Sequence, residues 1–294
     1  MGLFDAIKRI LTGAAAPSRP GVRGVEELTI RLGVTAEELR AVQVRYRETA
    51  IPKRSGGTRK ILAPEPPLKA MQRRILRRVL GRLRTHTAVH GFERGRSIVS
   101  NARCHKGQAI VLRMDVKNFF EATGAKRVSA YFQFIGWDAQ AAQELTRLCT
   151  YGSGLPQGAP TSPRLSNLVN YHLDKRLEGL ARKHRATYTR YADDLTFSFA
   201  ADEPLHARAI IRATKAILAK LGYQLHQRKK LSIRRRHARQ IVTGLVVNDR
   251  INLPRETRRW LRAAEHRIKT GKQATLTPQQ LEGWKALRSM IKSP

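Results

Sequence analysis

Two adjacent acids, Asp193 and Asp194, follow Tyr191 and Ala192 in ATYTRYADDLTFSFA (186–200), a segment otherwise rich in aromatic and β-forming residues. The chain holds only 22 Asp and Glu against 57 Lys and Arg, so paired carboxylates at this point stand out from their surroundings. One aspartate at a hairpin turn has an ordinary use, capping its own backbone. Two in one turn between apolar strands repel each other unless a cation lies between them. A divalent metal supplies that cation, and Mg²⁺ takes hard oxygens from one or two carboxylates together with substrate phosphates. A third carboxylate from a neighbouring strand would complete a two-metal site, its ions roughly 3.5–4 Å apart, suited to displacement at phosphorus. Asp115, at the end of the buried-strand pattern IVLRMDV (110–116), is the candidate.

Those carboxylates need strands to hold them. Residues 186–200 read as two strands with a tight turn at Ala192–Asp193, and 240–247 (QIVTGLVV) as a further strand. Helices are expected at 126–134, at 207–221, and after Ser162 and Pro163 as N-cap and first position, with Leu165, Leu168, Val169, Leu173 and Leu177 inward. Thr35 with Glu38 forms a capping box for a short helix through Val42. Thr277, Pro278 and Gln280 start another helix, with Leu276 and Leu281 as a hydrophobic staple. IPKRSGGTRK (51–60) reads as a hairpin turning at Gly56 and Gly57 and flanked by Lys53, Arg54, Arg59 and Lys60, of which Lys53, Arg59 and Lys60 are placed to neutralise phosphate charge. On the next helix Leu68, Met71, Ile75, Leu76, Val79 and Leu83 share a face. Arg73, Arg74, Arg77, Arg78 and Arg82 take the remainder, either solvated or touching phosphate. Lys229, in LGYQLHQRKKL, is either a proton donor to a leaving group or a solvated lysine at a strand end. The mixture is α+β, with carboxylates at strand ends.

Composition narrows the partners. The formal net charge is +35, spread from Lys8 to Lys292, which attracts polyanions and above all nucleic acid. Cys104 and Cys149 are too few for a disulfide framework or a Cys-rich zinc site, and a reducing cytoplasmic setting is expected. The longest apolar run, Ile241 to Val247, already contains Thr243 and Gly244, so no membrane span is expected. The opening MGLFDAIKRILTG places Leu3, Phe4, Ile7, Ile10 and Leu11 on one helical face, while Asp5, Lys8 and Arg9 argue against a secretory signal. That face docks on the protein's own core more readily than on a membrane surface. PSRPGVRG (17–24) reads as the linker that follows.

The order of RMDVKNFF, GLPQGAPTSP, YADDLTFSF and LGYQLHQRKKL resembles the palm motifs of reverse transcriptases, from roughly Ile51 to Asn248. The resemblance implies a right-hand polymerase: fingers at 1–88 and 124–156, a palm of antiparallel sheet plus helices at 89–123 and 157–250, and a short helical thumb at 251–294. It implies two Mg²⁺ ions held by Asp115 with its neighbour Val116, Asp193 and Asp194. Phe120 matches the aromatic gate against the ribose 2′-OH, while Gln157 and Gly158 match residues contacting the incoming dNTP, a role shared with Lys53, Arg59 and Lys229. His226 stands where the family commonly has Asn, which weakens the assignment of Lys229. Glu121-Ala122-Thr123 replaces a common Pro-Ser-Ile.

NARCH (101–105) and Val242-Thr243-Gly244 resemble elements of the retron reverse transcriptases. That resemblance implies RNA contacts at Asn101, His105 and Thr243, joined by Arg258 and Arg259 of the thumb. His105 also reads as a satisfied, partly buried histidine, and Val242-Thr243-Gly244 as a strand with a bulge glycine. By the same resemblance the enzyme copies a structured noncoding RNA into branched, RNA-linked DNA, in bacterial anti-phage defence. A host RNase H removes template, and an effector protein is a further partner. Two rivals are a group II intron-type reverse transcriptase, which usually has a longer C-terminal region, and a noncatalytic RNA-binding protein on the same fold. Loss of one of the three aspartates would favour the second rival, and all three are present.

Overall fold

A computed structural model describes residues 22–52, 56–226 and 231–293. The amphipathic pattern over 3–11, most of the linker at 17–24, Lys53, Arg54 and Lys229 lie outside the described residues. The chain divides into two units, one of residues 1–82 and 124–162, the other of 83–123 and 163–294. In this two-way division residues 251–294 fall in the second unit.

The first unit opens with α1 (Val25–Leu32) and α2 (Ala36–Ala41), the latter begun by the Thr35–Glu38 capping box. Next, β1 (Tyr46–Pro52) and β2 (Thr58–Pro64) pair antiparallel from Tyr46↔Pro64 to Pro52↔Thr58, a hairpin longer than expected. Helix α3 (Pro66–Ile75) runs into a π-helical turn, Leu76–Leu80, so Val79 and Leu80 are buried while Leu83 falls beyond the helix. That turn breaks the single apolar face expected from a regular period. Two arginines of this stretch hold α1 in place. Arg74 donates to the Gly33 carbonyl at 3.1 Å and Arg78 to that of Arg31 at 3.1 Å. Both carbonyls belong to the C-terminal end of α1, where intrahelical partners run out. Helices α4 (Ala125–Phe134) and α5 (Ala139–Cys149) complete the unit, burying Val128, Phe132, Leu145 and Leu148.

The second unit is built on a four-stranded antiparallel sheet. Its strands are β3 (Ile110–Asp115), β4 (Ala186–Tyr191), β5 (Asp194–Phe199) and β6 (Ser232–Arg235), in the spatial order β4-β5-β3-β6. Alternation gives the sheet two faces. Ile110, Leu112, Met114, Leu195, Phe197 and Phe199 form one, packed on α6 (Tyr171–Lys183) and α7 (Pro204–Ala219) through Leu173, Leu177, Ile210 and Leu218. The opposite face carries Asp115 and Asp194, and its far end is covered. Val111 there joins Val99 and Ala102 of α8 (Ile98–Arg103) and Val242 and Leu245 of a small hairpin, β7 (Ile241–Val242) and β8 (Leu245–Val246).

Three sequence expectations change here. The strand expected over 240–247 is this hairpin, because Thr243 (φ 46°) and Gly244 (φ 83°) both take the left-handed conformation that a tight two-residue turn needs. The helix expected through Leu177 breaks at Asn170 into α9 (Ser162–Val169) and α6, since the Asn170 amide donates to the Ser166 carbonyl at 2.8 Å. Ser162 opens α9 as its first residue rather than its cap, donating to the Pro156 carbonyl at 2.7 Å. Beyond the hairpin lie α10 (Arg255–Lys269) and α11 (Pro278–Lys292), the second begun by the Thr277–Gln280 capping box. Among the described residues no helix is long and apolar enough to cross a membrane.

Candidate active site

Antiparallel register sets Asp115, the last residue of β3, directly opposite Asp194, the first of β5. Cross-strand partners share a face, so both side chains leave the sheet on the same side. Ala192 and Asp193 form the two-residue connection between Tyr191 and its partner Asp194, with Ala192 in the left-handed region at φ 55°. The Asp193 carbonyl accepts from the Val116 amide at 3.0 Å, tying the turn to the end of β3. Like charges placed opposite each other destabilise a sheet, and each carboxylate here has a basic neighbour. Arg113 donates to both Asp194 oxygens at 3.2–3.3 Å. His226 Nε2 lies 3.4 Å from Asp115 Oδ1, and its backbone amide donates to the Asp115 carbonyl at 2.8 Å. Hard carboxylate oxygens on adjoining strand ends suit a divalent ion of magnesium's kind. Among the described residues, no three His, Cys, Asp or Glu side chains are gathered as a ready metal cluster.

The turn rests on a buried polar scaffold. Arg190, two residues before Ala192, is wholly buried, and its guanidinium meets the equally buried Asp174 of α6 at 2.7 Å through two nitrogens. It also donates to the Ala192 carbonyl and to Asn167 Oδ1, both at 3.1 Å. Burial works against its charge, yet the Asp174 carboxylate outweighs that and raises its pKa. Asn167 in turn donates to the Gly91 carbonyl and to Glu93, each at 2.8 Å. Residues 88–90 bridge β4, with Arg190 donating to the Ala88 carbonyl and His90 to that of Arg190. Gly91 is then so close to the turn that a Cβ on it would meet the Ala192 nitrogen at 2.6 Å.

Phe120, in the short helix Phe119–Ala122, is half-buried beside the turn. Its ring lies 6.1 Å from Phe92, which lies 6.5 Å from Tyr191, so an aromatic row borders the carboxylates. Thr123, within the departure from the family's usual residues, closes that helix by donating to the Phe119 carbonyl at 2.8 Å. In the first unit, the Gln157 carbonyl accepts from the Leu62 amide at 2.8 Å. Gly158 (φ 130°) packs where a Cβ would meet the Leu62 carbonyl at 2.6 Å, which explains the glycine. Arg59 is exposed on β2.

Two expected RNA contacts are corrected. Asn101 and His105 are completely buried, so neither side chain presents a surface to RNA. The His105 ring bridges Ser198 and Thr189, each at 2.7 Å, joining α8 to the sheet, and burial pushes its pKa down to about 3. Thr243 is half-buried with its hydroxyl donating to the Ile98 carbonyl at 2.8 Å. Arg258 and Arg259 are exposed on α10. Arg258 lines a cavity of about 610 Å³ together with Arg103, Lys106, Arg250, Arg288 and Lys292. Arg113, Asp174 and Arg190 are site residues that the sequence motifs do not mark. The only cue was Arg190 itself, a charged residue at an inward position of a strand that is otherwise apolar on that face.

Residues 51–243 match the family described as reverse transcriptase (RNA-dependent DNA polymerase). The chain is 37% identical to the retron Mx162 reverse transcriptase of Myxococcus xanthus over 84% of its own length and 59% of that enzyme's. It thus spans about three-fifths of that relative. It is 35% identical to the retron Mx65 reverse transcriptase of Myxococcus xanthus, covering 97% of this chain and 73% of the relative. Identity to the retron Ec86 reverse transcriptase of Escherichia coli is 32%, covering 90% and 83% respectively. Among solved structures, telomerase from Candida albicans, in complex with a fragment of telomeric RNA, matches with a TM-score of 0.53 at 12% identity. That match covers 78% of this chain and 49% of the other, a likeness of fold.

Proposed function

The chain belongs to the retron reverse transcriptases, a family of RNA-directed DNA polymerases, and we propose that it copies a structured noncoding RNA into branched, RNA-linked single-stranded DNA. The observation that carries this reading is the register of Asp115 against Asp194 beside the Ala192–Asp193 turn. With Asp193, these carboxylates would hold Mg²⁺, two ions in the full site. Bound there, it would supply activation of the attacking hydroxyl and charge stabilisation for the leaving pyrophosphate. Val116 contributes by fixing the turn through its amide.

The chain's own residues supply the rest. Phe120, bordered by Phe92, excludes the 2′-OH of a ribonucleotide. Arg59, Gln157 and Gly158 contact the incoming dNTP, and Lys53 and Lys229 have the same role from outside the described residues. Arg258 and Arg259 bind RNA, and the arginine-lined cavity around Arg258 supports that role. RNA is recognised through shape, 2′-OH groups and phosphates, for which basic helices such as α10 are suited. Thr243 serves this recognition by shaping the β7–β8 turn. We further propose a cytoplasmic setting, anti-phage defence, an effector partner, and a host RNase H for template removal.

The direct test is primer extension on an RNA template with Mg²⁺ and labelled dNTPs, repeated with the chain's cognate RNA. Wild-type protein is expected to incorporate template-directed DNA. Asp193→Asn is expected to lose synthesis at least ~10³-fold, on the order of removing a group on which charge stabilisation depends, while retaining RNA binding. Full synthesis by Asp193→Asn would remove the assignment.

A further inference from the structure

The sheet face that carries Asp115 and Asp194 continues into a cavity of about 370 Å³. It is lined by Val111 and Arg113 of β3, Ser232 and Arg234 of β6, and Arg239 and Ile241 leading into β7. Register explains why these side chains meet. Arg113 lies opposite Ser232 and Val111 opposite Arg234, and paired residues share a face. Asp115, two residues beyond Arg113, leaves the strand on that same side.

Three guanidinium groups therefore border one recess, and they are unequally engaged. Arg239 is committed to Glu256, with contacts of 2.7 and 2.9 Å. Arg113 uses one terminal nitrogen on Asp194, and its buried Nε has no hydrogen-bond partner among the described residues. Arg234 is exposed, and its guanidinium has no partner among the described residues. A buried donor left unmatched costs stability until something accepts from it. Among the described residues no aromatic side chain lines the recess, so they offer no stacking platform for a base. Guanidinium groups converging on a polar cavity instead match the geometry of a phosphate.

We propose that this cavity is a phosphodiester subsite for the nucleic-acid strand that ends at the carboxylates, with Arg113 and Arg234 as its ligands. The proposal rests on the reverse transcriptase reading above. It adds that charge is delivered to the strand by the same sheet face that holds Asp115 and Asp194, and that the β6 arginines differ by face. Arg235, next in sequence, pairs with Asp202 and lies opposite Ile110 on the other face. It serves as an internal control with the same charge.

The experiment measures equilibrium binding of a labelled DNA primer on an RNA template, in EDTA so that no synthesis occurs, across a series of salt concentrations. Wild type, Arg113→Gln, Arg234→Gln and Arg235→Gln are compared, each first checked for an unchanged melting temperature. Loss of one phosphate contact lowers the slope of log affinity against log salt by about 1. That drop is expected for Arg234→Gln and for Arg113→Gln, with Arg235→Gln following wild type. Equal slopes in all four proteins would overturn the proposal. Neutral methylphosphonate linkages, walked along the primer and then the template, identify the strand. One position should weaken wild type yet leave Arg234→Gln unaffected, and the absence of any such position overturns the subsite. Wild-type primer extension run in parallel separates the two readings. Extension with equal slopes defeats the subsite alone, whereas wild type that neither binds nor extends defeats both.

Discussion

Arg190 and Arg258 carry the same guanidinium into opposite surroundings. The first is sealed beneath the Ala192–Asp193 turn, with Asp174, Asn167 and the Ala192 carbonyl as its partners. The second is exposed on α10 among Arg103, Arg250 and Arg288, in a recess where basic groups greatly outnumber acids. A buried charge is tolerated only when its donors are matched, and removing its partner leaves an uncompensated ion in the core. An exposed charge contributes little to folding and remains available to a ligand. In a chain with so many arginines, burial and partnering separate those that hold the turn from those left open to a ligand.

That contrast can be broken or sharpened by measurement. The largest effect is expected from Asp174→Asn, which strands Arg190 in the core and should cost about 3–5 kcal/mol. Urea unfolding would show it, and a shift within about 0.5 kcal/mol would mean that the pair is not what holds the turn. Next in size is acid sensitivity. Burial, with the charge of His90 as a lesser cause, holds His105 down at about 3, and burial with Arg96 nearby holds His90 at about 4. The folded state thus binds fewer protons than the unfolded one in that interval. Stability is intact above the ordinary histidine pKa of about 6.5 and falls as pH drops from there towards 4 and 3. Unfolding followed at successively lower pH should show the loss, with a flatter profile for His105→Gln, and an unchanged profile in that variant would clear His105 of the role.

A smaller effect, about 1–3 kcal/mol, is expected of Gly91→Ala, whose new methyl meets the Ala192 nitrogen. Displacing the turn should lower kcat more than it raises KM, and equal kinetics would show that the turn can yield. Smallest in folding energy is Arg258→Gln, expected to leave stability within about 0.5 kcal/mol. It should weaken RNA binding and reduce its salt dependence. A large loss of stability in that variant would erase the distinction between the two arginines.

Much of the site was legible because its signals are local. A carboxylate pair at a two-residue turn, and a third carboxylate ending an alternating strand, are visible within a few residues of sequence. Their cross-strand register follows from pairing two such strands. The supports were not legible, since they depend on distant partners. Arg190 and Asp174 are a strand and a helix apart, and no local pattern distinguishes a matched buried arginine from a solvated one. His226 likewise reaches Asp115 only through the fold. Asn101 and His105 show the converse: polar residues in a short motif suggested RNA contacts, while the structure places both inside, with His105 in its alternative reading as a satisfied buried histidine that links α8 to the sheet. The π-helical turn at Leu76–Leu80 escaped because an inserted residue shifts the apolar period without changing residue types.

The two edges of the four-stranded sheet are closed by different means. At β4 the chain itself covers the edge, with residues 88–90 bonded alongside it. At β6 the outer edge is bordered by Arg234, Arg235 and Arg236, the last two paired with Asp202 and Asp249, and the Arg234 carbonyl accepts from the Gln240 side chain at 3.0 Å. Unpaired edges invite other strands to add on, and concentrated positive charge discourages a second copy of the same chain from doing so. Protection by a covering segment does not depend on salt, whereas repulsion fades once the screening length shrinks to a few ångströms, as it does at about 1 M salt. The protein's colloidal behaviour should therefore divide at this sheet: self-association through β6 becomes easier as ionic strength rises, and the β4 edge remains closed throughout.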